Sequence, residues 1–217
     1  MSVSIIIPTY NRKKFEKLIE YNINCQEYSG IIEVIIADDG DEDQRLQLNI
    51  NYPIKYIKCA RMTIGQKRNI LASSAKGEYI AHMDTDDVYF STYISHSMEV
   101  LEKTKKDAVG TADMIFVFAD GTKGGMRNPY LSMANEATLV YKKSFWKELG
   151  FSEKQSSEGI QFLEGRHWQI AHSSISNVMI CLCHSTNTVD KEPWRNNPVN
   201  GFPDYSEHQK IINTISL

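Results

Sequence analysis

Short apolar runs that stop abruptly at acidic clusters organise the first half of this chain. Val3–Ile7 is β-branched and is stopped by Pro8, and Ile31–Ala37 runs straight into Asp38-Asp39-Gly40-Asp41. Ile54–Cys59 is a shorter run, and Tyr79-Ile80-Ala81-His82-Met83 leads into Asp84-Thr85-Asp86-Asp87. Apolar runs of this length, bounded by turn residues, predict buried strands. Between them, Arg12–Asn24 and Ile64–Ala75 carry apolar residues at helical spacing, and Gly77 is a stop signal for the second. Strand alternating with helix predicts a largely parallel sheet with helices on both faces. Ligands of such sheets sit beyond the carboxyl ends of the strands. Both acidic clusters fall there.

The pattern changes after Asp87. Ser91–Lys105 reads as a helix, and Ala108–Phe118 as one long strand or a bent pair. The glycine-rich stretch Asp120–Arg127 predicts a hairpin or a mobile loop. Helices at Lys142–Leu149 and Glu158–Ala171 and a strand at Val178–Cys183 complete the expected core. Lys191 to Leu217 opens with Pro193, Pro198 and Pro203 and is expected to finish as an amphipathic helix. With no internal repeat or low-complexity linker, one domain over residues 1–217 is expected, with a ligand-binding half at 1–90 and a second half at 91–217.

Composition removes several classes of function. The 24 basic and 27 acidic residues are interspersed, so no basic stripe points to nucleic acid. No apolar run approaches the ~20 residues that span a bilayer, and the start lacks a signal-peptide pattern; a soluble, cytoplasmic protein is expected. Cys25, Cys59, Cys181 and Cys183 form neither a C-x-x-C pair nor a zinc-ribbon ladder. Cys181 and Cys183 would face the same way on a strand and read as buried free thiols.

Asp84, Asp86 and Asp87 would repel one another unless a cation compensates them. Oxygen-rich sites suit Mg²⁺ or Mn²⁺, which few protein carboxylates hold together with substrate phosphates. Helix capping accounts for Asp86 or Asp87 but not for all three. Asp38-Asp39-Gly40 by itself is equally compatible with turn chemistry.

The motifs, taken in order, resemble a known family. Ile5-Ile6-Ile7-Pro8-Thr9-Tyr10-Asn11-Arg12, Val34-Ile35-Ile36-Ala37-Asp38-Asp39-Gly40, Gly65-Gln66-Lys67-Arg68-Asn69, and Gly77-Glu78-Tyr79-Ile80 followed by Asp84-Thr85-Asp86-Asp87 are similar to the landmarks of family 2 glycosyltransferases. That resemblance implies the α/β GT-A fold, with a central, mostly parallel mixed sheet flanked by helices. It implies a nucleotide-sugar donor, UDP-glucose or similar, and a Mn²⁺ or Mg²⁺ ion. Pro8, Thr9, Tyr10 and Arg12 would line the nucleotide pocket, with Asp38 or Asp39 on the base. Gly65 and Arg68 would lie near the base or pyrophosphate, Asp84 and Thr85 on the ribose and sugar side, and Asp86 on the metal. His184, after the last apolar strand and three residues before Asn187, would reach the metal or the phosphates.

An inverting transferase needs a base for the acceptor hydroxyl. The family places it in an acidic pair that opens a helix; here Ser156-Ser157-Glu158-Gly159 keeps only the first member. Glu158 is therefore the expected catalytic base, with Glu153 and Glu164 as substitutes, although a Glu after serines is also ordinary capping. Trp194 is the expected acceptor-side aromatic, and Trp146 is expected in the core. The acceptor would be a glycan or glycoprotein. The compact length resembles catalytic domains that large DNA viruses and bacteria use for surface glycans, which would place a viral member in the host cytoplasm. Two other readings stand beside the transferase. A nucleotidyltransferase would need a glycine-rich phosphate loop that Pro8–Arg12 lacks, and Gly159 favours a sugar-nucleotide-binding module without turnover.

Overall fold

The structure, a computed structural model, describes residues 1–128, 134–198 and 202–215. Strands β1 (Val3–Thr9), β2 (Ile31–Asp38), β3 (Ile54–Lys58), β4 (Tyr79–His82), β6 (Ala108–Gly110), β9 (Val140–Lys142) and β10 (Ile170–His172) form a seven-stranded sheet. Its order is β10-β6-β9-β4-β1-β2-β3. β9 runs against β4 and β6, while β1 is parallel to β2 and β4, β2 to β3, and β10 to β6. A second sheet, ordered β5-β11-β7-β8, is built from β5 (Val88–Tyr89), β7 (Met114–Phe118), β8 (Lys123–Met126) and β11 (Met179–Cys183).

The central strands are apolar on both faces because both are covered. Val3, Ile5, Ile7, Val34 and Ile36 face the larger core cluster, shared with α1 (Glu16–Asn24), α3 (Tyr93–Thr104) and the second sheet. Ile6, Ile35, Ala37 and Ile80 face the other, with α2 (Ile64–Ser74), α4 (Lys143–Glu148) and α5 (Gly159–Leu163). Each buried Ile or Val contributes ~1.5–3 kcal/mol, so these alternating contacts hold β1 and β2 in one register. The register pairs Thr9 with Asp38 and Ile6 with His82. Ile6 O accepts the Met83 N–H at 3.0 Å. The even-numbered backbone groups of β1 thus face β4. Pro8 comes two residues later, where β4 has turned away and no N–H is needed.

α2 begins as expected, because Thr63 and Gln66 form a capping box: the Gln66 N–H donates to Thr63 Oγ1 at 3.2 Å and the Thr63 N–H to Gln66 Oε1 at 3.0 Å. Some expectations for the second half hold and others are corrected. The helix expected over Glu158–Ala171 is only α5, ended by Gly165 at φ 69°, and Ile170 and Ala171 belong to edge strand β10. β9 precedes the helix expected from Lys142. Ala108–Phe118 splits at residues 111–113, so that β6 and β7 serve different sheets. Asp120–Arg127 is a hairpin, with β8 antiparallel to β7 and Gly121 at φ 82° in its turn. The terminal helix α6 (Gln209–Asn213) is short, and residues 199–201 and 216–217 of that expected segment lie outside the described residues. Cys181 and Cys183 are buried free thiols. Among the described residues no helix is long and apolar enough to cross a membrane.

Candidate active site

A cleft of about 370 Å³ opens over the carboxyl ends of β1, β2 and β4. Pro8, Thr9, Tyr10 and Arg12 line it from the end of β1, Arg68 from α2, and Asp84, Thr85 and Asp86 from the loop after β4. The buried Thr9 Oγ1 has no hydrogen-bond partner among the described residues. Asp38 and Asp39, at the end of β2, do not line this cleft. Asp39 accepts from Lys67 Nζ at 2.7 Å, Arg61 at 2.8 Å and the Met62 N–H at 3.0 Å. Burial opposes its charge, but these donors win and hold the carboxyl below its ordinary range. Asp38 accepts from the Tyr56 hydroxyl at 2.5 Å and the Gly40 N–H at 2.8 Å. In place of these aspartates, Lys67 and Arg61 line the cleft beside Arg12 and Arg68, and Arg61 lies 3.6 Å over the Tyr10 ring.

Two sets of charges meet at the acidic loop. In the outer set, Asp86 Oδ2 lies 3.2 Å from His184 Nε2 and 3.4 Å from Arg12 Nη2. Burial raises the Asp86 pKa, but the His184 hydrogen bond and the Arg12 charge outweigh it and keep the carboxylate ionised below the usual range. His184 rests on Phe15, with ring centroids 5.1 Å apart, and Thr186 Oγ1 lies 2.9 Å from its Nδ1. The inner set is built on Arg68, only 3% exposed. Its Nε donates to Glu158 at 2.8 Å and its Nη2 to Asp84 at 3.2 Å. Its Nη1 is 2.9 Å from His82 Nδ1. Burial, followed by the Arg68 charge, pushes His82 well below its usual pKa and keeps it neutral. Burial, with Asp86 and Glu158 nearby, raises Asp84 despite Arg68.

A smaller cleft of about 160 Å³ adjoins the first and shares Arg68, Asp84 and Asp86 with it. Glu158 lines it at the start of α5, and so does Glu136. Three expected residues take other places. Gly65 lies outside both clefts, because a Cβ there would meet Ser152 O at 1.8 Å; its N–H donates to Lys154 O at 3.1 Å, fixing α2 to that loop. Trp194 lines neither cleft and packs on Phe116, with centroids 5.8 Å apart. Asp87 starts no helix: buried, it accepts the Leu182 N–H at 3.1 Å and ties the acidic loop to β11. Burial, with Cys181 and the other two aspartates, pushes its pKa well up.

Residues 4–160 match the sequence profile of glycosyl transferase family 2. The chain belongs to that family. Similar proteins include an uncharacterized glycosyltransferase of Rickettsia conorii, 31% identical over 112 residues, covering 49% of this chain and 18% of the relative. Another is the poly(ribitol-phosphate) β-N-acetylglucosaminyltransferase TarS of Staphylococcus aureus, 28% identical over 154 residues, covering 64% of this chain and 25% of TarS. The match thus covers only 18% and 25% of the lengths of these two relatives. Its fold matches that of TarS residues 1–349 in complex with UDP-GlcNAc, with TM-score 0.66 at 20% identity over 86% of this chain and 60% of the other. It also matches a mannosyltransferase of Pyrobaculum calidifontis in complex with GDP-Man and Mn²⁺, with TM-score 0.60 at 14% identity over 88% and 58%. The fold is the α/β GT-A fold, as expected.

Several lining residues of this family 2 chain are missed by sequence reasoning. Lys67 stands beside Arg68 in the recognised stretch Gly65–Asn69, and its burial was the missing information. Thr186 sits between His184 and Asn187, so position alone could have found it. Gln155, Thr188 and Glu136 reach the clefts from loops with no local signal.

Proposed function

We propose that this glycosyltransferase moves a sugar, with inversion, from a UDP-activated donor to a hydroxyl of a glycan or glycoprotein. The observation that carries this reading is the facing of Asp86 and Arg12 in one cleft at the strand ends, with the buried His184 held against Asp86. TarS, a solved fold relative, is complexed with UDP-GlcNAc, which supports UDP as the nucleotide. Pro8–Arg12 would bind the nucleotide, with the Tyr10 and Arg61 stack available to the base. The Arg12 guanidinium would meet a phosphate once Asp86 is otherwise engaged.

The donor set also fits a divalent cation. Among the described residues no three His, Cys, Asp or Glu side chains converge on one point. Asp86 and His184 offer one carboxylate and one imidazole 3.2 Å apart. Two protein donors leave the remaining positions to diphosphate and water, and the imidazole favours Mn²⁺ over Mg²⁺. The ion named with the Pyrobaculum mannosyltransferase is Mn²⁺. When bound, such an ion supplies charge for the departing diphosphate. His184 would present Nε2 to it, with its Nδ1 side held by the Thr186 hydroxyl and N–H at 2.9 and 3.3 Å.

The inner set serves the sugar side. Arg68 holds Asp84 and Glu158 in fixed positions at the junction of the two clefts, so the donor sugar and acceptor hydroxyl would meet there. The test is thermal melting with UDP-, GDP- and dTDP-sugars, with and without Mn²⁺. At ~100 Kd a ligand adds roughly 2.7 kcal/mol, about 5–11 °C for a chain of this size. A UDP-sugar shift that needs Mn²⁺ is expected. No shift with any nucleotide sugar sinks the reading, and binding without UDP release identifies a silent module instead.

A further inference from the structure

Residue 159 has no side chain, and another residue's carboxyl fills the space beside it. The Gly159 N–H donates to Glu136 Oε1 at 2.9 Å. A Cβ built on Gly159 would lie 2.6 Å from Glu136 Cγ, 2.7 Å from its Oε1 and 2.9 Å from its Cδ. Glu136 comes from the short 3₁₀ turn Glu136–Thr138 that leads into β9. Its carboxylate thus stands where a short acidic side chain at the start of α5 would project, in the cleft shared with Arg68, Asp84 and Asp86.

The two glutamates of this cleft differ in their partners. Glu158 accepts from Arg68 Nε at 2.8 Å, in an ion pair whose side chains are 3% and 5% exposed. No cation lies within ion-pairing distance of the Glu136 carboxylate among the described residues. Burial, then the neighbouring Glu158 charge, raises the Glu136 pKa above its ordinary value. Arg68 from α2 and Lys191 from the segment after β11 are the cations of this cleft, Asp84, Asp86 and Asp87 its other acidic groups, and neutral His82 touches the Glu136 backbone carbonyl at 2.7 Å. A general base works best as a carboxylate that is unpaired and has raised proton affinity. Glu136 meets that description, whereas the Glu158 carboxylate is taken up by its ion pair with Arg68.

We propose that Glu136 is the general base for the acceptor hydroxyl, while Glu158 is a positioning residue that acts through Arg68. This inference rests on the transferase reading above. The acceptor O–H bond breaks and its proton passes to the Glu136 carboxylate as the oxygen bonds the anomeric carbon. The bond from that carbon to the diphosphate oxygen breaks, and its electron pair leaves with the nucleoside diphosphate.

The experiment measures UDP release from UDP-GlcNAc and UDP-glucose with Mn²⁺, using water and a panel of methyl glycosides as acceptors. It is paired with UDP affinity by calorimetry and with thermal melting. Glu136→Gln should lower kcat by about 10²–10⁴-fold, leave the UDP Kd within threefold, and remove the acidic limb of the pH–rate profile. Glu158→Gln should instead disturb KM and UDP affinity together with kcat. Glu136→Ala removes the side chain that blocks residue 159, so Glu136→Ala with Gly159→Asp should regain at least tenfold of the lost rate. Turnover of Glu136→Gln within threefold of the parent overturns the assignment. So does a rate loss matched by lost UDP affinity, or a folded double variant without recovery. A parent protein that binds no UDP, or releases none from either sugar, defeats the transferase reading itself and the base with it.

Discussion

Arg68→Met is the sharpest test of the charge arrangement under the two clefts. The guanidinium is buried and serves Glu158 at 2.8 Å and Asp84 at 3.2 Å. Methionine fills similar volume without charge, so the substitution strands two carboxylates. Removing one partner of a buried pair costs about 3–5 kcal/mol. At ~2–4 °C per kcal/mol for a chain of this length, the variant should melt roughly 6–20 °C below the parent at pH 8. The loss should depend on pH in a defined direction. Burial already raises Asp84, and without the opposing Arg68 charge its native-state pKa moves further above its unfolded value of ~4. Between the two values the native state binds more protons than the unfolded state, so the variant gains stability as pH falls. Arg68 in the parent keeps its charge throughout. Differential scanning calorimetry of both proteins from pH 8 to pH 5 should show the gap narrowing, and Arg68→Met with Glu158→Gln should recover part of it at pH 8. A gap under 2 °C, or one constant across that range, refutes the view of Arg68 as the hub of a buried ion cluster.

Other perturbations read different parts of the molecule. Asp86→Asn and His184→Ala each remove one of the two donors that face each other at 3.2 Å; each should weaken Mn²⁺-dependent UDP binding at least tenfold by calorimetry, while UDP binding without metal changes little. Gly65→Ala places a methyl 1.8 Å from Ser152 O, an overpacking expected to destabilise by about 1–3 kcal/mol. That change should appear as a lower melting temperature with a shifted urea midpoint.

How much of this arrangement local sequence could carry depends on where each residue's partners lie. β1, β2 and β4 are apolar runs buried on both faces, and each is followed directly by the residues it positions. The chain order of Ile7-Pro8-Thr9 and Met83-Asp84-Thr85-Asp86 is thus nearly a map of the larger cleft. Partner choice was less legible. Asp38 and Asp39 stand at the expected strand end, yet their carboxylates are taken by Tyr56, Arg61 and Lys67 from later elements. In the second half the strands β6, β9 and β10 have three residues each, too few to display a period of two. Their pairing comes from the sheet edge that β4 already offers, so a sequence window reads Ile170 and Ala171 as the end of a helix. The acidic pair illustrates the same limit. Glycine at 159 looks like a lost carboxylate along the chain, but the geometry places Glu136, 23 residues away, against that glycine. A charge that comes from another segment of the chain leaves no trace in local spacing. Its signature in three dimensions is the 2.9 Å bond from the Gly159 N–H and the volume that a Cβ cannot enter.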